Sequence, residues 1–217
     1  MEVISKIIDF VLHVDVYLND IIVRYGAWTI AILFLIIFME TGVVVTPFLP
    51  GDSLIFAAAT FAARGALNPW VLFIVLSIAA ILGDTANYWI GHRVGAKAYT
   101  GEVRWIKKEY MERTHAFFAK HGGKAIFLAR FVPIVRTFAP FVAGVSQMPY
   151  GYFFRWNVIG GIVWVGLFTA LGFFFGNIPF VQHNFELVIV AIIAISVVPM
   201  LVEVVRARGG KKSQRQA

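Results

Sequence analysis

Glu40, Asp52, Asp84, Arg130 and Arg136 are ionisable residues set inside stretches that are otherwise apolar. A charge at the centre of a membrane helix costs roughly 2.5–3.5 kcal/mol on insertion scales, so such residues line a cavity or pair with one another. Arginine presents a planar fork that donates two parallel hydrogen bonds to phosphate or carboxylate and keeps its proton, which makes Arg130 and Arg136 a candidate anion clamp. Glu40 and Asp52 can exchange protons. Burial and a neighbouring guanidinium act on a carboxyl in opposite directions, so an anion seated on the arginines would reset the protonation of both acids. Two acids and two arginines make a formally neutral site, with Asp84 and Asn87, one helical turn apart, expected to support it from behind. The same groups could also serve only as ion pairs that join two segments. The breakers beside them, Pro47, Pro50, Gly51, Pro133 and Pro140, favour a binding site, because broken helices leave backbone N–H groups facing a ligand.

The elements that must hold these residues belong to a membrane protein. Of 217 residues 59% are hydrophobic and 14% charged, against roughly 25% charged in soluble chains. Between Arg24 and Arg64 the only charged side chains are Glu40 and Asp52, and none falls between Trp156 and Phe185. Residues 3–24 read as an interfacial amphipathic helix, with Ile4, Ile7, Val11, Val14, Leu18 and Ile21 on one stripe. Residues 26–63 read as a helix followed by a re-entrant hairpin, because Pro47, Pro50 and Gly51 interrupt the apolar run. Residues 70–91 make a span, 92–124 a basic loop, 125–150 a second re-entrant hairpin, 153–175 and 187–205 two further spans, and 206–217 a basic tail. The expected fold is all-α and polytopic, with two opposed re-entrant helical hairpins in one domain.

Charge sets the orientation. Thirteen of the nineteen basic residues lie in the 92–124 loop or the tail from Arg206 onward, whereas Gly176 to Phe185 holds no Lys or Arg. The loop and tail are therefore expected in the cytoplasm and the later connection on the opposite side. The net charge of +7 is accounted for by this asymmetry rather than by nucleic acid. A repeat is also visible. Pro50 and Pro133, Asn68-Pro69-Trp70 and Met148-Pro149-Tyr150, and Gly91-x-x-x-Gly95 and Gly172-x-x-x-Gly176 correspond at offsets of 80 to 83 residues. The two halves then run in opposite directions across the membrane, the arrangement of transporters whose site lies near the midplane.

Other chemistry is excluded by residue type. There is no cysteine, so no thiolate nucleophile or Cys-ligated metal exists. His13, His92, His115, His121 and His183 show no metal-binding spacing. No G-x-S-x-G, Walker A or G-x-G-x-x-G motif is present. The chain reads as a non-enzyme that needs no cofactor or metal.

The motif residues resemble a known family. Glu40-Thr41-Gly42, Pro47-Phe48-Leu49-Pro50-Gly51-Asp52-Ser53, Gly83-Asp84-x-x-Asn87-Tyr88 and His121-Gly122-Gly123-Lys124 are similar to segments of the DedA family of bacterial inner-membrane proteins. So, above all, is the run from Arg130-Phe131-Val132-Pro133 through Arg136 to Gly144. The resemblance spans nearly the whole chain and implies a multi-pass inner-membrane lipid transporter related to VTT-domain scramblases. It further implies that undecaprenyl phosphate, a polyprenyl phosphate lipid, is returned across the membrane in dependence on the proton motive force. The acids Glu40 and Asp52 and the arginines Arg130 and Arg136 would be the residues that matter. Expected partners are this lipid, membrane lipids and protons, with no nucleic acid, and a homo-oligomer is compatible with the chain. A proton-coupled antiporter for small cations and a less selective phospholipid scramblase are the alternatives.

Overall fold

A computed structural model describes residues 14–42, 51–99, 118, 122–184, 187–188 and 191. The expectations for residues 3–13, Pro47, Pro50, most of the basic loop, most of the 187–205 span and the tail lie outside these residues. The described residues are helical, without a strand among them. Helix α1 is Val14–Tyr25, α2 Thr29–Gly42, α3 Gly51–Ala63, α4 Pro69–Tyr99, α5 Lys124–Ala129, α6 Pro133–Val145, α7 Tyr150–Phe175 and α8 Pro179–His183.

Two helices are long and apolar enough to cross a membrane, over Pro69–Gly95 and Tyr150–Phe175. At 1.5 Å per residue each reaches about 40 Å, more than the roughly 30 Å of a hydrocarbon core. Trp70, Ile74, Ile78 and Leu82 on α4 and Ile159, Ile162, Leu167 and Phe174 on α7 leave apolar side chains exposed, as lipid-facing surfaces do. Helices α2, α3 and α6 have 14, 13 and 13 residues and span only about 20 Å each. Ten of the 13 residues of α3 are buried, so this helix is enclosed by protein on nearly every side.

Each short helix is held by close backbone approach to a long one. Helix α3 packs chiefly on α7, and α6 on α4. On the α4–α6 seam a methyl group at Gly91 would overlap the Phe141 carbonyl and one at Gly95 the Val145 carbonyl. On the α3–α7 seam a methyl at Gly172 would overlap the Phe56 carbonyl and one at Gly176 the Thr60 hydroxyl. Thr60 Oγ1 donates across that seam to the Gly172 carbonyl at 3.2 Å. Helix α1 carries the described end of the expected amphipathic stripe, and its Leu18 is buried in the main apolar core with Leu33, Ile55 and Leu76.

Two sequence expectations are corrected. The span expected to stop at residue 91 continues as helix to Tyr99, because Gly91 and Gly95 serve as packing surface for α6 and do not cap the helix. Pro140, expected as a breaker, lies inside α6. Lacking an N–H, it removes the donor that would otherwise close on the Arg136 carbonyl. Pro133 does open a helix: it is the first residue of α6, after an extended Val132, where its missing N–H costs nothing.

Candidate functional site

The five charged residues meet in one buried cluster at the middle of the two long helices. Asp84 is the central residue of α4 and Trp164 lies near the centre of α7. Glu40 comes from the last turn of α2 and Asp52 from the first turn of α3, where the positive end of the helix dipole favours a carboxylate. Arg130 follows α5 and Arg136 sits in the first turn of α6. A cation at a helix N-terminus opposes the dipole, so Arg136 depends on its carboxylate neighbours.

Arg136 bridges the two acids of the first half. Its Nη2 donates to Glu40 Oε1, and its Nη1 donates to Asp52 Oδ1 at 2.7 Å. The Gly51 amide also donates to Glu40 Oε1, at 3.3 Å. The predicted grouping of Glu40, Asp52 and Arg136 is thus present. Arg130 is held separately: its Nη2 donates to Asp84 and to Asn157 Oδ1. Asp84 is therefore a direct partner of an arginine, and the expected four-charge neutral site is replaced by three carboxylates and two guanidinium groups. Asn87 is turned elsewhere, its Nδ2 donating to the Thr41 carbonyl at 3.2 Å and the Thr137 carbonyl at 2.7 Å. It ties α4 to α2 and α6.

Exposure of the side chains is 1% for Arg130, 4% for Arg136, 3% for Asp84, 1% for Glu40 and 13% for Asp52. Removing one partner of a buried pair of this kind costs about 3–5 kcal/mol, because the other charge is stranded. Even in this arrangement the site is not saturated. Arg130 Nη1, Arg136 Nε, Glu40 Oε2 and Asp84 Oδ1 are buried without a hydrogen-bond partner. Among the described residues no group of acids and histidines could hold a metal ion.

Helix α7 supplies a face that the sequence reading did not assign. Asn157, Gly160, Gly161 and Trp164 recur at the spacing of one helical stripe, and all four are buried. Asn157 is oriented by donating from Nδ2 to the Ile81 carbonyl at 3.0 Å and to Thr85 Oγ1 at 3.3 Å, which turns its Oδ1 toward Arg130. The Arg130 side chain lies against Gly160 and Gly161. Trp164, with no exposed surface, donates from its indole N–H to Asp52 Oδ1 at 3.0 Å. Its ring lies 4.5 Å from the Arg136 guanidinium carbon and 6.0 Å from that of Arg130, the first well within cation–π range. The signal for this face was the Asn-x-x-Gly-Gly-x-x-Trp spacing.

Such an architecture, a membrane protein whose described residues are all helical with a charged cluster buried between short and long helices, defines the class. The chain belongs to the DedA family: the VTT domain matches residues 49–174. Protein DedA of Escherichia coli strain K12 is 52% identical over 209 residues, covering 95% of this chain and 95% of its own length. An uncharacterized membrane protein of Mycobacterium leprae is 44% identical over 168 residues, covering 77% and 75% respectively. The inner membrane protein YqjA of Escherichia coli strain K12 is 34% identical over 158 residues and 72% of each chain. No solved structure gives a significant match.

Proposed function

We propose that this protein is a transporter that moves a phosphate-bearing lipid, undecaprenyl phosphate in the first instance, across the bacterial inner membrane in dependence on the proton motive force. The observation that carries this reading is the pair of buried arginines, each retaining a partnerless N–H, within one site that also holds exchangeable carboxylates. A phosphate monoester offers three oxygens to such donors, and its arrival would release Glu40 and Asp52 from Arg136 to bind protons. Asp52 and Arg136 stand in the first turns of α3 and α6, whose positive dipole ends favour an anion between them. The polyprenyl tail stays in lipid along the apolar outer faces.

In this reading α2–α3 and α5–α6 are the two re-entrant hairpins of an inverted repeat. Support comes from the matched seams: Gly91 and Gly95 against Phe141 and Val145, and Gly172 and Gly176 against Phe56 and Thr60, with α3 and α6 each packing on the long helix of the other half. The protein is multi-pass, with the 92–124 loop and the tail in the cytoplasm and Gly176 to Phe185 in the periplasm. The name of YqjA is in keeping with an inner-membrane location. The protein acts without covalent chemistry and needs no cofactor.

A proton-coupled small-cation antiporter is the second reading, favoured by the third carboxylate, which leaves the ionised cluster with one negative charge in excess. The deciding experiment uses purified protein in proteoliposomes, with flipping of polyprenyl phosphate followed with and without an imposed pH gradient. Gradient-dependent flipping is the expected result. Flipping of all phospholipids alike would identify a scramblase, and no flipping together with cation exchange would identify the antiporter.

A further inference from the structure

The two arginines of the cluster rest on the same face of α7, and Trp164 on that face contacts both a guanidinium and a carboxylate of the site. Its ring face lies over Arg136 at 4.5 Å, while its N–H binds the same Asp52 oxygen that receives Arg136 Nη1. These contacts have opposite consequences. The ring holds the guanidinium by its face and leaves the N–H edge free, so Arg136 can exchange one anion for another without losing its support. The N–H, in contrast, holds Asp52 in the place that an incoming anion must take.

We propose that Trp164 is the positioning residue of the anion site: a platform that keeps the Arg136 guanidinium in place through the exchange of carboxylate for phosphate, and a latch that stabilises Asp52 in the unliganded state. The inference rests on the lipid-phosphate reading and deepens it. The groups facing the latch are Arg136 from α6, Glu40 from α2, and Arg130 with Asp84 beyond the ring. The chemistry recognised is a phosphate monoester on an apolar chain.

The two roles separate by substitution. Trp164→Phe keeps an aromatic face and loses the N–H; Trp164→Leu loses both. Affinity for undecaprenyl phosphate is measured on detergent-purified full-length protein, with thermal unfolding followed in parallel to confirm the fold. Trp164→Leu is expected to bind at least tenfold more weakly, and Trp164→Phe about threefold more tightly, because Asp52 then competes less well for Arg136. In an Asp52→Asn background the gain from Trp164→Phe should vanish, a test that stands even where Trp164→Leu does not fold. A side chain that only fills space would weaken binding in both variants. Wild-type affinity in Trp164→Leu overturns the platform, and unchanged or weaker binding in Trp164→Phe overturns the latch. Wild-type protein that fails to bind the lipid overturns the lipid-phosphate reading itself, and this inference with it.

Discussion

Gly51 and Glu40 are in direct contact: the Gly51 amide donates to Glu40 Oε1 at 3.3 Å, and a methyl group at position 51 would fall on the Glu40 carboxylate. The glycine at the head of α3 is thus required by the neighbouring acid. Gly51→Ala should push Glu40 off Arg136 and lower polyprenyl phosphate transport about tenfold or more, as expected for one lost charge-assisted hydrogen bond of roughly 1.5–3 kcal/mol. Proteoliposome flipping checks it; a fully active Gly51→Ala protein would show that the Glu40–Arg136 pair is dispensable.

Glu40 and Asp52 should govern the response of transport to the proton gradient, since both are held by the arginine that a phosphate would occupy. Glu40→Gln and Asp52→Asn are expected to insert normally and to be either inactive or indifferent to an imposed gradient. Flipping rates with and without the gradient, compared with wild type, are the measurement. Normal rates and normal gradient dependence in both variants would remove proton coupling from this site.

Arginine-to-lysine exchange separates the two functional readings. Lysine retains the counter-charge but not the planar fork, so a bidentate phosphate contact is lost while the carboxylates remain neutralised. Arg130→Lys and Arg136→Lys should each weaken polyprenyl phosphate binding by roughly tenfold or more. Affinity that survives both changes would favour the cation antiporter.

The glycine seams predict a contrast in stability. Leucine at Gly91 or Gly172 would drive a side chain into the backbone of α6 or α3 and should destabilise the protein in detergent by about 1–3 kcal/mol or more. Gly151, near the start of α7 with no atom within 4 Å of a modest side chain, should accept alanine with no loss. Thermal unfolding of the three variants tests this; equal stabilities would mean that the seams yield.

The sense of insertion is checked by placing one cysteine in a chain that has none. A cysteine at Gln182 should react with an impermeant thiol reagent added to the periplasmic side, as the basic loop and tail require. Labelling confined to the cytoplasmic side would reverse the topology and undo the opposition of the two halves.

The sequence made part of this site visible for a simple physical reason. Ionised groups in apolar runs are too costly to be incidental, so Glu40, Asp52, Arg130 and Arg136 stood out, and adjacent prolines marked the helix starts that carry Asp52 and Arg136. The pairing did not follow. Asp84 sits in an unbroken helix, and only the packing of α7 against α4 brings Asn157 beside it to complete the Arg130 site. Trp164 was harder to find, because a tryptophan in a membrane helix is indistinguishable by type from one that faces lipid. Its burial and its stack on Arg136 are properties of the assembled helices. Pro140 misled for the converse reason: one missing hydrogen bond was outweighed by the seating of α6 on α4.

Three carboxylates against two guanidinium groups give the fully ionised cluster one uncompensated negative charge. In a membrane that charge answers to voltage, because one elementary charge carried across the whole field is worth about 2.3 kcal/mol per 100 mV. If the protein is the proposed transporter, reorientation of its empty site is an electrical event unless a proton travels with it. Capacitive current from protein without lipid would count that proton: a signal at high pH that fades on acidification means that the return step carries either a charge or a proton, and the membrane potential acts on the first of these alone.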